Sequence, residues 1–187
     1  MGTQSIGTTI LAGVVGLGLL FIVPMVTLTG RADKVTQENV QLMVDEFVTE
    51  VANTGRLNTS GYEAFEDKLN STGNLYDIEI EIYHLDENPG KKTAQTNYTK
   101  IGENVYYIEY TAQILPQIGI DLGSGEVKEE EQDMLLKQGG IIKVRVRNTN
   151  PTANQTLESS ALGFSNADEY VIEASSSAMV TVNGVKD

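Results

Sequence analysis

One histidine and no cysteine set the limits of the chemistry open to this chain. That count excludes a Cys-His dyad, a thiolate metal centre, a disulfide and a multi-histidine metal site. A Ser-His-Asp triad would have to use His84, and no G-x-S-x-G turn is present to carry its serine. His84 closes an alternating run beside Asp86, which marks it as a surface or strand-end residue. Glu79 and Glu81 are two apart, so a strand would place both carboxylates on one face and raise the question of acid-base work. A half-buried strand produces the same spacing by alternation alone, and a solvated face is the expectation. Residues 121–126, DLGSGE, superficially resemble a calcium loop but lack its acidic third position and its glycine at the sixth. Glu129, Glu130, Glu131 and Asp133 read as a solvated acidic face. No P-loop occurs, and no G-x-G-x-x-G lies beyond the apolar N-terminal region. The residues therefore predict no enzyme, no cofactor, no metal and no small-molecule substrate. Sequons begin at Asn58, Asn70, Asn97 and Asn154, and they matter only in a host that glycosylates.

The chain has 187 residues, a formal net charge of -13 and a pI near 4.4. No Asp, Glu, Lys or Arg precedes Arg31, so all the charge lies on the remainder. An acidic surface of this kind repels phosphate backbones, and nucleic acid is not an expected partner. Solubility is the simplest use of the charge.

Residues 6–28, IGTTILAGVVGLGLLFIVPMVTL, are free of charge. At about 23 residues the stretch is long enough to cross a ~30 Å hydrocarbon core. A globular core helix rarely stays apolar on every face for so long. A cleaved secretory signal would need a basic start, a shorter apolar stretch and a small-residue cleavage site, and none is evident. Ile6 also stands where a myristoylation motif wants Ser or Thr. A retained single-pass anchor in membrane lipid is expected. Within it, Thr8, Ala12 and Gly16 recur every four residues, and Thr9 and Gly13 recur beside them. Such spacing lets two helix backbones approach closely in lipid, so these five residues are the candidate helix-helix packing surface. Pro24 removes one backbone donor and is the candidate helix bend. Arg31 and Lys34 flank only the C-terminal side of the span, which by the positive-inside rule would hold the rest of the chain in the cytoplasm. Composition and the resemblance given below favour an exported domain instead.

The elements follow from pattern. Val40, Met43, Val44, Phe47, Val48 and Val51 share one helical face, the candidate surface for packing on a sheet. Val40, nearer the membrane, is expected to make fewer contacts than Phe47. With Thr54-Gly55 as the stop, one helix is expected over residues 6–53. Asn58-Thr59-Ser60 can cap a second helix that ends near Gly73. Residues 76–86 read as a strand and 105–115 as a second, with a turn at 87–90 and a polar loop at 91–99 between them. Residues 119–138 are expected as a loop with a short acidic helix before Gly139-Gly140. Residues 141–147 alternate as a third strand, residues 148–166 read as loop, and one or two strands are expected over 170–182. The fold class is α+β: a long N-terminal helix, membrane-spanning in its first half, packed on a small antiparallel sheet. Residues 1–30 form the transmembrane segment and 31–187 the acidic domain with the second half of the helix.

This layout resembles type IV pilin-like proteins, in which a long N-terminal helix, apolar in its first half, backs an α+β head. The resemblance implies that residues 6–28 bundle into a filament core while residues 40–51 face the head. It implies processing after Gly2, which would put Pro24 about twenty residues into the mature helix, and it places Gly7 where that family carries an acidic residue. The stretch VQLMVDEFVTEVANTGRLNTSGYEAFEDKLNSTGNLYDIEIEIYHLDENPG is similar to small anchored proteins of Gram-positive bacteria associated with Tad-like pilus or secretion systems. The implied function is a pilin-like structural subunit, or minor component, of a bacterial surface filament. Its partners would be copies of itself or other pilin-like subunits. The alternative is a membrane-anchored accessory protein of a secretion or conjugation apparatus that never polymerises.

Overall fold

The computed structural model describes residues 3–85, 106–121, 132–162 and 172–185. Its first element, α1 (Thr3–Thr54), is one helix of 52 residues. It runs through Pro24 and ends at Gly55, whose φ of 65° is the left-handed turn that glycine adopts without cost. The strand β1 (Arg56–Asn58) follows. The helix α2 (Thr59–Asn70) is capped by the Asn58 side chain, which accepts from Gly61 N at 2.9 Å. Then come β2 (Tyr76–Leu85), β3 (Tyr106–Tyr110), α3 (Thr111–Gln117), β4 (Asp133–Leu135), β5 (Ile141–Asn148), α4 (Ala153–Leu162) and β6 (Glu173–Met179).

The main sheet is antiparallel, in the order β3-β2-β5-β6, and β1 pairs separately with β4. Register aligns the apolar rows: Ile80 sits opposite Val144, Ile82 opposite Ile142, and Ile78 opposite Val146, which in turn faces Ala174. These side chains are buried in one core cluster with those of α1 and α2. Val40, Val44, Phe47, Val48 and Val51 of α1 are buried there, with Met43 packed at the margin. Val40 is fully buried, so its place nearer the N-terminus costs it no contact with the core. Phe47 stacks on Phe65 of α2 with ring centroids 4.2 Å apart. Burial, followed by the charges of Glu66 and Asp77, pushes the Tyr62 phenol up to about 12.

Three expected elements differ. The strand expected over residues 105–115 stops at Tyr110 and the chain turns into α3. Thr111 is the cause: its hydroxyl accepts from Ile80 N at 2.7 Å and donates to Ile80 O at 3.3 Å, so a side chain replaces the next rung of the ladder. Ile114, Leu115 and Ile118 are then buried at helical spacing. Of the stretch expected to form a short acidic helix before Gly139, residues 122–131 lie outside the described residues, and residues 133–135 are the strand β4. The loop expected over 148–166 contains α4, which is opened by a capping box. Gln155 N donates to Thr152 Oγ1 at 3.3 Å, and Thr152 N donates to Gln155 Oε1 at 2.9 Å. The turn at 87–90 and the loop at 91–99 lie outside the described residues.

The two sheet edges are treated differently. Along β6, Gln37 Nε2 donates to Glu173 O at 2.5 Å, Glu173 N donates to Gln37 Oε1 at 3.0 Å, and Gln41 Nε2 donates to Ser175 O at 3.0 Å. Four helical residues rise about 6.0 Å and two strand residues about 6.6 Å, so side chains at i and i+4 of α1 match alternate residues of the strand. Two glutamines thus occupy an edge that would otherwise template another strand. Gln37→Ala should cost about 1 kcal/mol, since water reaches the released groups. It should also speed hydrogen exchange at the Glu173 amide, and an unchanged exchange rate would mean that the glutamine does not hold this edge.

Candidate functional site

Among the described residues, the exposed large apolar side chains concentrate on the N-terminal half of α1. Ile10, Leu11, Val14, Leu17, Leu20 and Phe21 are all more than 60% exposed. The helix is long and apolar enough to cross a membrane, and none of its most apolar stretch is buried. Thr8, Thr9, Ala12, Gly13 and Gly16 all lie on this exposed half. A Cβ added at Gly13 or Gly16 would meet nothing within 4 Å. Pro24 lies inside the continuous helix, and the carbonyl before it takes a hydroxyl donor: Thr27 Oγ1 to Val23 O at 2.8 Å. The second half of α1 carries the packing face described above. One helix therefore joins a bare apolar half to an antiparallel sheet.

The architecture is pilin-like. No family model, no curated protein and no solved structure matches the chain. The pilin-like likeness therefore rests on the arrangement of one helix and one sheet.

Two other features of the head could bind or react. On the solvent face of the sheet, Glu79 and Glu81 are ion-paired, not poised for acid-base work. Lys143 Nζ lies 3.1 Å from Glu81, and Arg145 reaches Glu173 at 2.5 Å and Glu79 at 4.0 Å. Hydrogen bonds from Tyr83 and then from Lys143 hold the Glu81 carboxyl below the usual glutamate range. Opposite charges here satisfy one another across strands, as cross-strand pairs do on any antiparallel sheet.

The second feature is a cleft of about 640 Å³ between the ends of β2 and β3 and the β4 segment. His84 lines it, one residue before the end of β2, the strand-end position that the sequence predicts. Its Nε2 lies 3.0 Å from Glu109, and its ring stacks on Tyr107 at 4.7 Å. The spacing of β2 and β3 in sequence leaves their register open, which hides this pair from the sequence. Asp133, across the cleft, is held by Arg56 at 2.9 Å. Among the described lining residues there is no Ser, Thr or Cys for a histidine-carboxylate pair to activate. No group of three or more possible metal ligands occurs among the described residues. Of the possible calcium loop only Asp121 is described, and Glu129, Glu130 and Glu131 lie outside the described residues.

Sequence reasoning also missed the junction where α4 meets α1. Thr152 Oγ1 donates to Asp33 Oδ2 at 2.7 Å with both residues buried, and Thr29 Oγ1 donates to Asn154 Oδ1 at 2.7 Å. The signal was present: Pro151-Thr152-x-x-Gln155 is a helix-start pattern in a segment rich in loop-forming residues.

Proposed function

We propose that this chain is a pilin-like structural subunit, or minor component, of a bacterial surface filament. Its head stands outside the cell, and its N-terminal helices bundle with one another or with other pilin-like subunits. The observation that carries this reading is the bare apolar half of α1, continuous with a helix face that is buried against the sheet. A lone surface helix of that composition is unstable in water and requires lipid or other helices around it. Nothing in the proposed role requires catalysis, a cofactor or nucleic acid. The alternative is a non-polymerising anchored accessory protein of a secretion or conjugation apparatus. It is favoured by Gly7, which stands where the pilin-like family carries an acidic residue.

The small-residue stripe gives the test. A Cβ added at Gly16 meets nothing within 4 Å among the described residues, so Gly16→Leu is expected to leave the isolated subunit intact and to act on a neighbour. Cross-linked oligomers in membranes should fall at least several-fold for Gly16→Leu and stay near wild type for Leu19→Ile, with filaments in negative stain lost in parallel. Equal cross-linking for the two variants would remove the stripe as the packing surface. Normal cross-linking without filaments in the wild type would favour the accessory protein.

A further inference from the structure

We infer that the C-terminal half of α4 rests in the lipid headgroup layer and fixes the depth at which α1 leaves the bilayer. This rests on the reading of the apolar half of α1 as a membrane anchor and adds a second membrane contact to it.

Two sets of contacts fix the position of α4. Its N-terminal cap, Thr152, bonds Asp33, and Asn154 bonds Thr29 and lies over Gly30. As α4 advances from Thr152 to Asn154, its partners on α1 move four residues toward the N-terminus. The helix has ten residues, about 15 Å at 1.5 Å per residue. Continued along α1, the eight residues beyond Asn154 descend about 12 Å, which brings the end of α4 to the level of Phe21 and Ile22.

The burial pattern of α1 shows the same track independently. Ile22, Val26, Thr29 and Gly30 are half-buried and Asp33 is buried, all on one side of the helix. Phe21, Val23, Met25 and Leu28, on the other sides, are 71%, 57%, 55% and 64% exposed. On α4, Asn154, Leu157 and Glu158 form the matching half-buried stripe. So α4 lies beside the last two turns of the uncharged stretch that ends at Leu28.

The whole stretch cannot be in hydrocarbon while α4 is beside it. Ser159 and Ser160 are exposed, and Glu158 carries a charge next to them. That composition is costly in an acyl core and suited to the interface, which is about 5–7 Å deep on each side of the core. No Lys or Arg occurs in α4, so it meets the headgroups through hydroxyls and amides and not by ionic attraction. The hydrocarbon boundary therefore falls near Ile22, about a turn and a half below the end of the apolar sequence at Leu28. Residues 23–26, about 6 Å of helix, stand in the headgroup layer, with the C-terminal half of α4 covering one side of them.

The chain contains no tryptophan, so single-tryptophan variants report one position each. Full-length Val14→Trp, Ser160→Trp and Glu63→Trp are reconstituted in phosphatidylcholine-phosphatidylglycerol vesicles. The vesicles carry bromine at either a shallow or a deep acyl position. Val14→Trp should be quenched most by deep bromine, Ser160→Trp by shallow bromine only, and Glu63→Trp on α2 by neither. Ser159→Trp repeats the α4 reading in case the first substitution distorts the helix. If both α4 tryptophans are quenched by aqueous acrylamide alone while Val14→Trp responds to deep bromine, the anchor stands and the α4 inference fails. If Val14→Trp is not quenched by either lipid, the anchor reading itself fails. Deep quenching at Ser160 would place α4 within the hydrocarbon and would also overturn the inference.

Discussion

Phe47→Ala should destabilise the head by about 3–5 kcal/mol, the usual cost of cutting a buried phenylalanine to alanine. Phe47 is only 5% exposed and loses a ring stacked face to face on Phe65 at 4.2 Å. The ring joins α1 and α2 within the core, so its loss opens a void between them, and close packing limits how far they can collapse. A domain of this size has about 5–15 kcal/mol in total, so a large share of its stability would go. Denaturant unfolding of the purified full-length protein in detergent should show a lower midpoint with an unchanged slope. Val40→Ala should cost less because it removes fewer atoms, not because Val40 lies at the margin, for it is fully buried. A Phe47→Ala midpoint within error of wild type would mean that the helix does not pack on the sheet as described.

Gly55→Ala should have an effect of similar size by a different route. Its φ of 65° costs a residue with a Cβ about 1–2 kcal/mol. The new Cβ would also lie 2.5 Å from Gly184 N and 2.6 Å from Val182 O, so backbone must move. Overpacking of this kind adds about 1–3 kcal/mol. The crowding is there for a reason. Gly55 O accepts from Leu136 N at 2.8 Å, Gly184 N donates to Leu136 O at 2.9 Å, and Thr181 N donates to Ala52 O at 2.9 Å. The end of α1, β4 and residues 181–184 are thus bonded together through one close approach. Gly55→Ala should lower the unfolding midpoint and raise amide exchange at Leu136 and Gly184 together. Gly73→Ala is the control, since it also has positive φ but meets nothing within 4 Å. Equal effects at the two glycines would mean that backbone angle alone matters and that the three-way junction contributes nothing.

Periodicity carried the fold where burial is one-sided. Ile78, Ile80 and Ile82 alternate because one sheet face is covered, and residues 40–51 repeat at helical spacing because one helix face is covered. Pattern failed where side chains took over backbone bonding. Thr111 ends the ladder at Ile80, and Thr152 with Gln155 starts α4 in a segment rich in Asn, Thr and Ser. The Thr152–Gln155 bonds are local and the Thr111–Ile80 bonds cross between elements, and neither leaves a mark on hydrophobic alternation. The apolar half of α1 was legible from composition alone, including the run of small residues. Its relation to α4 was not, because it depends on two hydrogen bonds between residues more than a hundred positions apart. The pairing of His84 with Glu109 was hidden in the same way, since it needs the β2–β3 register.

A filament subunit must hold its head outside the cell, whereas Arg31 and Lys34 beside the span argue for the inside. The chain has no cysteine, so Glu63→Cys on the exposed face of α2 gives one reactive thiol on the head. Protoplasts of cells that make this variant are treated with a membrane-impermeant maleimide, which removes any masking by the wall. Labelling of Glu63→Cys in intact protoplasts, equal to that after lysis, is the expected result and places the head outside. Labelling only after lysis would place the head in the cytoplasm and would contradict the surface-filament role.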